Sequence, residues 1–100
     1  MKLGILINTD RHLQHVVGIT EAALARGHEV QIFTMDAGTR LLNSPEYSAL
    51  CRMQGVTMNF CSLNAKQGGM PLEALSEEIN SGSQYDNAVM NHSADRVIVL

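Results

Sequence analysis

Residues 2–8 read KLGILIN, residues 12–26 read HLQHVVGITEAALAR, and residues 29–35 read EVQIFTM. The first run is almost continuously apolar, which is typical of a strand covered on both faces. The second carries apolar side chains at helical spacing and stops at Gly27, a residue type that favours the left-handed turn after a helix. The third is rich in β-forming residues. A strand, a helix and a strand in this order predict a parallel β-α-β unit.

The rest of the chain continues this alternation. The pattern predicts a helical turn at residues 39–42, a helix at 44–54, a strand at 56–61, a loop at 64–69, a helix at 71–80 and a final strand at 96–100. Residues 84–93 fit either a short helix or a loop. This order predicts an α/β fold of three layers, α/β/α, with a mainly parallel sheet of four to five strands between helices. Ending on a strand leaves one face or edge of the sheet uncovered, which a second subunit would cover.

The composition indicates one small domain spanning residues 1–100. Hydrophobic residues make up 45% of the chain and charged residues 17%, which is too apolar for a disordered chain and too polar for a membrane protein. The net charge of -3 and the lack of any Lys/Arg run argue against nucleic acid and anionic membranes as direct partners. Because the apolar runs are far shorter than a membrane span or a signal peptide's apolar core, we expect a cytoplasmic protein.

Several common catalytic and cofactor-binding motifs are missing from the sequence. No G-x-G-x-x-G or G-x-x-x-x-G-K-[ST] loop occurs, nor a C-x-x-C pair, nor a G-x-S-x-G elbow. The two cysteines and four histidines lack the spacing of metal ligands. We therefore expect chemistry that requires neither a cofactor nor a metal.

Cys61 is the most informative single residue. It ends the predicted strand 56–61, and in parallel sheets functional groups gather at the carboxyl ends of the strands. Period-two alternation places it on one face with Asn59. The polar segment 62–69 that follows predicts a sulfur open to a partner, with Lys66 and backbone N–H groups favouring its thiolate. The competing interpretation is a small buried hydrophobe, which is the commonest environment of a lone cysteine.

Further residues are candidates for supporting a reactive Cys61. The two histidines among them follow the carboxyl end of the first strand, where either could steady a thiolate. Two aspartates, Asp10 and Asp36, also follow strands, although capping a helix or turn is the more common role there. The supporting candidates are Lys66, His12, His15, Asn59 and Ser62.

The second cysteine, Cys51, has the pattern of a core residue, because it lies on the apolar stripe of the predicted helix 44–54. A disulfide between Cys51 and Cys61 is a third interpretation. A disulfide that joins the middle of a helix to the end of a strand must bring the two Cβ atoms into the narrow range of distances that an S–S bond allows.

Three segments together resemble a known family. Residues 18–42 read GITEAALARGHEVQIFTMDAGTRLL, residues 54–61 read QGVTMNFC, and residues 95–100 read DRVIVL. They are similar to the DsrE/DsrF-like family, the DsrEFH/TusD type of sulfur-relay protein. The resemblance implies a three-layer α/β/α fold with the final strand beside the first. It also implies a homo-oligomer, a trimer or hexamer, and a cysteine that accepts sulfur as a persulfide, which Cys61 matches.

The function implied by this resemblance is that of a sulfur carrier or sulfurtransferase, with sulfur donor and acceptor proteins as partners. The sequence departs from the family after the cysteine, where SLNAKQG at residues 62–68 stands in place of an Arg-Gly found in many members. The alternative is a non-catalytic oligomeric binding or scaffold module of the same fold. A small-ligand sensor at the strand ends is a third hypothesis, which no phosphate-binding loop supports.

Overall fold

Five strands of the chain run parallel in one sheet, and helices pack on both of its faces. The computed structural model describes residues 1–100. The elements in chain order are β1 (Lys2–Ile7), α1 (Leu13–Ala25), β2 (Glu29–Thr34), a first 3-10 helix (Asp36–Asn43), α2 (Pro45–Ser48), a second 3-10 helix (Ala49–Arg52), β3 (Val56–Cys61), α3 (Ser62–Gln67), β4 (Ile79–Gly82), α4 (Gln84–Ser93) and β5 (Arg96–Val99). The strand order is β4-β3-β2-β1-β5, so the last strand lies beside the first as expected. No helix is long and apolar enough to cross a bilayer.

The β1-α1-β2 unit forms as predicted, and Gly27 ends its helix. Gly27 has a φ of 80° and donates its N–H to the carbonyl of Leu24 at 3.0 Å. The N–H of His28 donates to the carbonyl of Ala23, also at 3.0 Å. Because these two bonds satisfy carbonyls that the last helical turn leaves free, the chain leaves α1 sharply and enters β2.

One face of the sheet, here called the α1 face, holds the main core. Ile5, Ile32 and Met58 lie side by side on neighbouring strands and are buried. Helix α1 covers them with Val16, and the segment from the first 3-10 helix through the second adds further apolar side chains. Burial of this cluster is the main source of stability, since apolar area removed from water is the dominant favourable contribution to folding.

The opposite face, here called the α4 face, is covered by helix α4. Gly4 of β1 makes the close approach of α4 feasible, because a Cβ there would lie 3.2 Å from both the Ala94 Cβ and a Val97 methyl group. Met90 of α4 is buried beneath the helix against Phe33 of β2. The assignment that the sequence left open, residues 84–93, is thus a helix, and it supplies the third layer of the fold.

The predicted assignments of two segments between β3 and β4 are wrong. Residues 64–69 were expected to form a loop, but Ser62–Gln67 is helical. Residues 71–80 were expected to form a helix, but the chain turns irregularly there until Ile79 enters β4. The physical reason is tertiary: Ile79 pairs with Met58 in the sheet and buries its side chain, which overrides local propensity.

The predicted helix at 44–54 is shorter than expected. Helix α2 ends at Ser48, and the following turn tightens into 3-10 geometry up to Arg52. Ser44 precedes the helix, and its side chain makes no capping hydrogen bond. The helical turn predicted at 39–42 lies within the first 3-10 helix.

Candidate functional site

Cys61 lies where the sequence placed it, at the carboxyl end of β3. It is the last residue of that strand and the residue immediately before α3. Its strand neighbours confirm the predicted alternation, since Phe60 belongs to the main core while the Cys61 side chain lies on the α4 face.

The expectation of an open sulfur is wrong, because Cys61 is only 3% exposed. It forms a small cluster with Phe33 and Met90, and further apolar side chains pack around the three. These surrounding side chains are Leu6, Met35 and Val97. The cause is helix α4, whose position over this face could not be predicted while residues 84–93 remained unassigned.

The chain enters α4 directly beside Cys61. Cys61 pairs with Gly82 in the sheet, and Ser83 follows directly as the N-cap of α4. The Ser83 hydroxyl accepts the N–H of Tyr85 at 3.2 Å, and the Asp86 carboxylate accepts the N–H of Ser83 at 2.8 Å. This capping box fixes the start of the helix.

A side-chain contact ties the same turn to β2. The Gln84 amide nitrogen lies 3.8 Å from the sulfur of Met35, and Met35 packs against the cluster around Cys61. Gln84 itself is exposed. Cys61 is therefore enclosed by the small cluster under α4, which includes the side chains of Met35 and Met90, and lies outside the main core.

The structure brings only some of the proposed supporting residues toward Cys61. Asn59 is half-buried two residues earlier on the same strand, and Ser62 begins α3. Lys66 is exposed near the end of α3, and its ammonium group makes no hydrogen bond or ion pair.

The two histidines lie on the other side of the sheet. His12 is the N-cap residue of α1, and its ring meets that of His15 edge to face with 5.7 Å between the ring centroids. Because α1 packs on the α1 face, neither imidazole shares a face with Cys61. This placement does not support the expectation that a histidine steadies the thiolate, which stays a prediction.

The structure separates the two cysteines as well. Cys51 is buried in the main core, whereas Cys61 belongs to the cluster under α4. Both are free thiols. The disulfide interpretation is wrong, since the sheet itself stands between the two side chains.

A polar groove at the same edge of the sheet was not identified from the sequence. It has a volume of about 320 Å³ and lies between the first 3-10 helix and α3. Asp36 lines it with a φ of 48° and donates its N–H to the Asn64 side-chain oxygen at 3.0 Å. Arg40 at the groove pairs with Asp10 at 3.6 Å, so both aspartates flagged in the sequence lie near this edge. The sequence feature that could have identified this groove is the polar run that follows β2.

The histidine, cysteine, aspartate and glutamate side chains do not converge in a metal-binding arrangement: no three of them are close enough to hold an ion.

Comparison with known proteins supports the fold. No protein-family model and no curated protein matches the chain. Among solved structures, the protein of unknown function MTH1491 from Methanobacterium thermoautotrophicum has a TM-score of 0.77 at 18% identity, covering 99% of this chain and 98% of its own. The ychN protein from E. coli has a TM-score of 0.73 at 13% identity, covering 99% of this chain and 97% of its own.

A third structure agrees with these two. The conserved protein of unknown function BT1422 from Bacteroides thetaiotaomicron has a TM-score of 0.73 at 16% identity, covering 99% of this chain and 94% of its own. At such identities the likeness establishes the three-layer α/β/α fold and does not extend to activity.

Proposed function

We propose that this chain is a small cytoplasmic sulfur carrier that accepts a sulfane sulfur on Cys61 and passes it to another protein. The observation that carries the proposal is the position of Cys61 at the carboxyl end of β3, under one ten-residue helix and outside the main core. Ligands and reactive groups of parallel α/β sheets gather at this edge. The resemblance of residues 54–61 to the cysteine strand of DsrE/DsrF-like proteins points to the same residue.

The proposed reaction is a displacement at sulfur. The Cys61 thiolate attacks the outer sulfur of a donor persulfide, R–S–SH, and a new bond forms between the Cys61 sulfur and that atom. The S–S bond of the donor breaks and R–S⁻ leaves, taking up the proton that Cys61 gave to solvent. The sulfane sulfur changes partner and no external oxidant or reductant is consumed. Delivery to an acceptor thiolate is the same displacement with Cys61 as the leaving group.

Burial of Cys61 suits the resting carrier in this scheme. A persulfide is open to attack by any small thiol, since thiolates displace at sulfur readily once they can reach it. The cluster formed with Phe33 and Met90 excludes such thiols between the two transfers. Donor and acceptor proteins must then meet a form of the chain in which the cover has moved.

Supporting roles in this proposal fall to groups at the same edge. Lys66 and the backbone N–H groups at the start of α3 are the proposed partners of the cysteine, together with Asn59 and Ser62, which lie within two residues of it in sequence. No role is proposed for His12 or His15, because their helix, α1, packs on the α1 face.

The proposed assembly is a homo-oligomer. Strand β5 is an edge strand with one row of free backbone groups, and Val99 on it is 57% exposed. An open edge beside exposed apolar side chains favours association with a second subunit.

The second candidate function is a non-catalytic oligomeric binding module. The burial of Cys61 favours it, since a cysteine packed between Phe33 and Met90 also fits a purely structural role.

Intact-mass measurement after incubation with a persulfide donor separates the two functions. A sulfur carrier gains the mass of one sulfur atom, the gain disappears in Cys61→Ser, and it persists in Cys51→Ser. The donor is a persulfide-bearing cysteine desulfurase as well as a low-molecular-weight persulfide, so that both a protein and a small donor are tried. If the unmodified chain gains no sulfur from either donor, the binding module is the correct function.

A further inference from the structure

We propose that the first turn of α4, residues 83–87, is a door that opens by local unfolding and controls access to Cys61. The inference rests on the proposed function in assigning the door a purpose, but its geometry stands apart from sulfur chemistry. This turn begins directly beside the cysteine, because Gly82 pairs with Cys61 and Ser83 follows it.

The contacts that hold the door shut are few and mostly polar. The capping box between Ser83 and Asp86 fixes the turn, and the Gln84 side chain reaches the Met35 sulfur. Tyr85, the largest side chain of this turn, is 75% exposed and contributes nothing to the cluster. The buried anchor of the helix is Met90, which lies beyond the door.

Such an arrangement opens locally before the fold as a whole unfolds. Segments with few buried apolar contacts open at a lower free-energy cost than core strands. The rest of α4 keeps its hold on the sheet through Met90, and beyond the helix the N–H of Asp95 donates to the Lys2 carbonyl at 2.8 Å. Fraying of residues 83–87 frees Met35 from its contact with Gln84 and so opens a path to the sulfur of Cys61, while Met90, the main core and Cys51 stay in place.

The test is the rate at which each cysteine of the unmodified chain reacts with dithiodipyridine. The thiolate attacks the probe's S–S bond and releases thiopyridone, and mass spectrometry of the digested chain assigns the label to Cys61 or Cys51. We expect Cys61 to react faster than Cys51, and slower than both cysteines do in denaturant. Ser83→Ala removes the cap and should speed the labelling of Cys61 about fivefold, the change in opening expected when one helix cap is lost.

Matched variants separate the door from a general loss of stability. Ser83→Thr keeps the capping hydroxyl and should restore the slow rate. Ser44→Ala changes another serine that precedes a helix but makes no capping bond, and should leave both rates unchanged. If Ser83→Ala speeds Cys51 and Cys61 equally, or speeds neither, the door does not exist.

The labelling result and the persulfide result are independent of each other. A door confirmed by labelling, in a chain that never gains sulfur, would overturn the carrier function and leave the door in place. A chain that gains sulfur at Cys61 with a labelling rate indifferent to Ser83→Ala would overturn the door and leave the carrier function.

Discussion

Tyr47 is fully buried in the main core, where its hydroxyl forms a hydrogen bond with the hydroxyl of Thr34 at the end of β2. Burial raises the pKa of Tyr47 well above its ordinary value of 10.0, because the phenolate would lose its hydration, and the bond to Thr34 offsets only part of that effect. The native chain therefore holds the Tyr47 proton more tightly than the unfolded chain does.

This difference predicts a loss of stability at alkaline pH. Above pH 10.0 the unfolded chain releases the Tyr47 proton while the folded chain retains it, so the free energy of unfolding falls as pH rises. The slope contributed by one such group approaches about 1.4 kcal/mol per pH unit. Tyr47→Phe should lower the free energy of unfolding at neutral pH by about 1 kcal/mol, because Thr34 loses its partner, and should flatten this alkaline slope.

Urea unfolding at a series of pH values measures both effects. Tyr85→Phe is the matched control, since Tyr85 is exposed and its removal should leave the slope unchanged. Equal alkaline slopes for the unmodified chain and Tyr47→Phe would show that the folded chain does not hold the Tyr47 proton more tightly than the unfolded chain.

Helix α4 depends on a glycine in a strand to reach the sheet. At Gly4 an added Cβ would meet Ala94 and Val97 at 3.2 Å, which is tighter than ordinary packing. At Gly18, inside α1, an added Cβ would meet nothing within 4 Å. An added methyl group should therefore be tolerated at Gly18 and crowded at Gly4.

The same substitution should change stability in opposite directions at these positions. Gly4→Ala should lower the free energy of unfolding by about 1–3 kcal/mol, because the sheet and α4 must move apart. Gly18→Ala should raise it by about 0.5–1 kcal/mol, since alanine is the better residue in a helix interior. Thermal unfolding followed by circular dichroism compares the two variants, and a gain at both positions would mean that α4 does not pack on Gly4.

The elements that could be predicted are those whose type and bounds follow from the pattern of their own sequence. The β1-α1-β2 unit and β3 have strong apolar periodicity and clear ends, so their bounds were nearly correct. Strand β4 could not be predicted, because INSG has little strand propensity and forms only through pairing with β3. Helix α4 buries a single residue fully, Met90, which is too weak a pattern to reveal the face it covers. The position of Cys61 was accordingly predictable, whereas the sequence left its burial open between two interpretations.

At the scale of the whole molecule, the β5 edge of the sheet is the candidate surface for assembly. The β5 edge carries the exposed Val99, and β5 takes all of its strand pairing from β1. If the chain is the proposed homo-oligomer and this edge joins the subunits, a charge at Val99 should weaken the assembly.

Val99→Lys should raise the dissociation constant of the oligomer about tenfold, the effect of losing one buried valine side chain. Sedimentation velocity over a concentration series measures the shift. Thr57→Lys places the same charge at another exposed position of the sheet and should leave the assembly unchanged. An unmodified chain that stays monomeric at every concentration would contradict the proposed assembly.

Pairing of β5 with β1 also governs when the fold can be completed during synthesis. Leu3 to Leu6 align with Arg96 to Val99, so one flank of β1 stays bare until β5 has emerged from the ribosome. A nascent chain arrested before residue 96 would present that flank to any extended segment nearby. Shielding of β1 by a chaperone would then matter most until residues 96–99 have emerged.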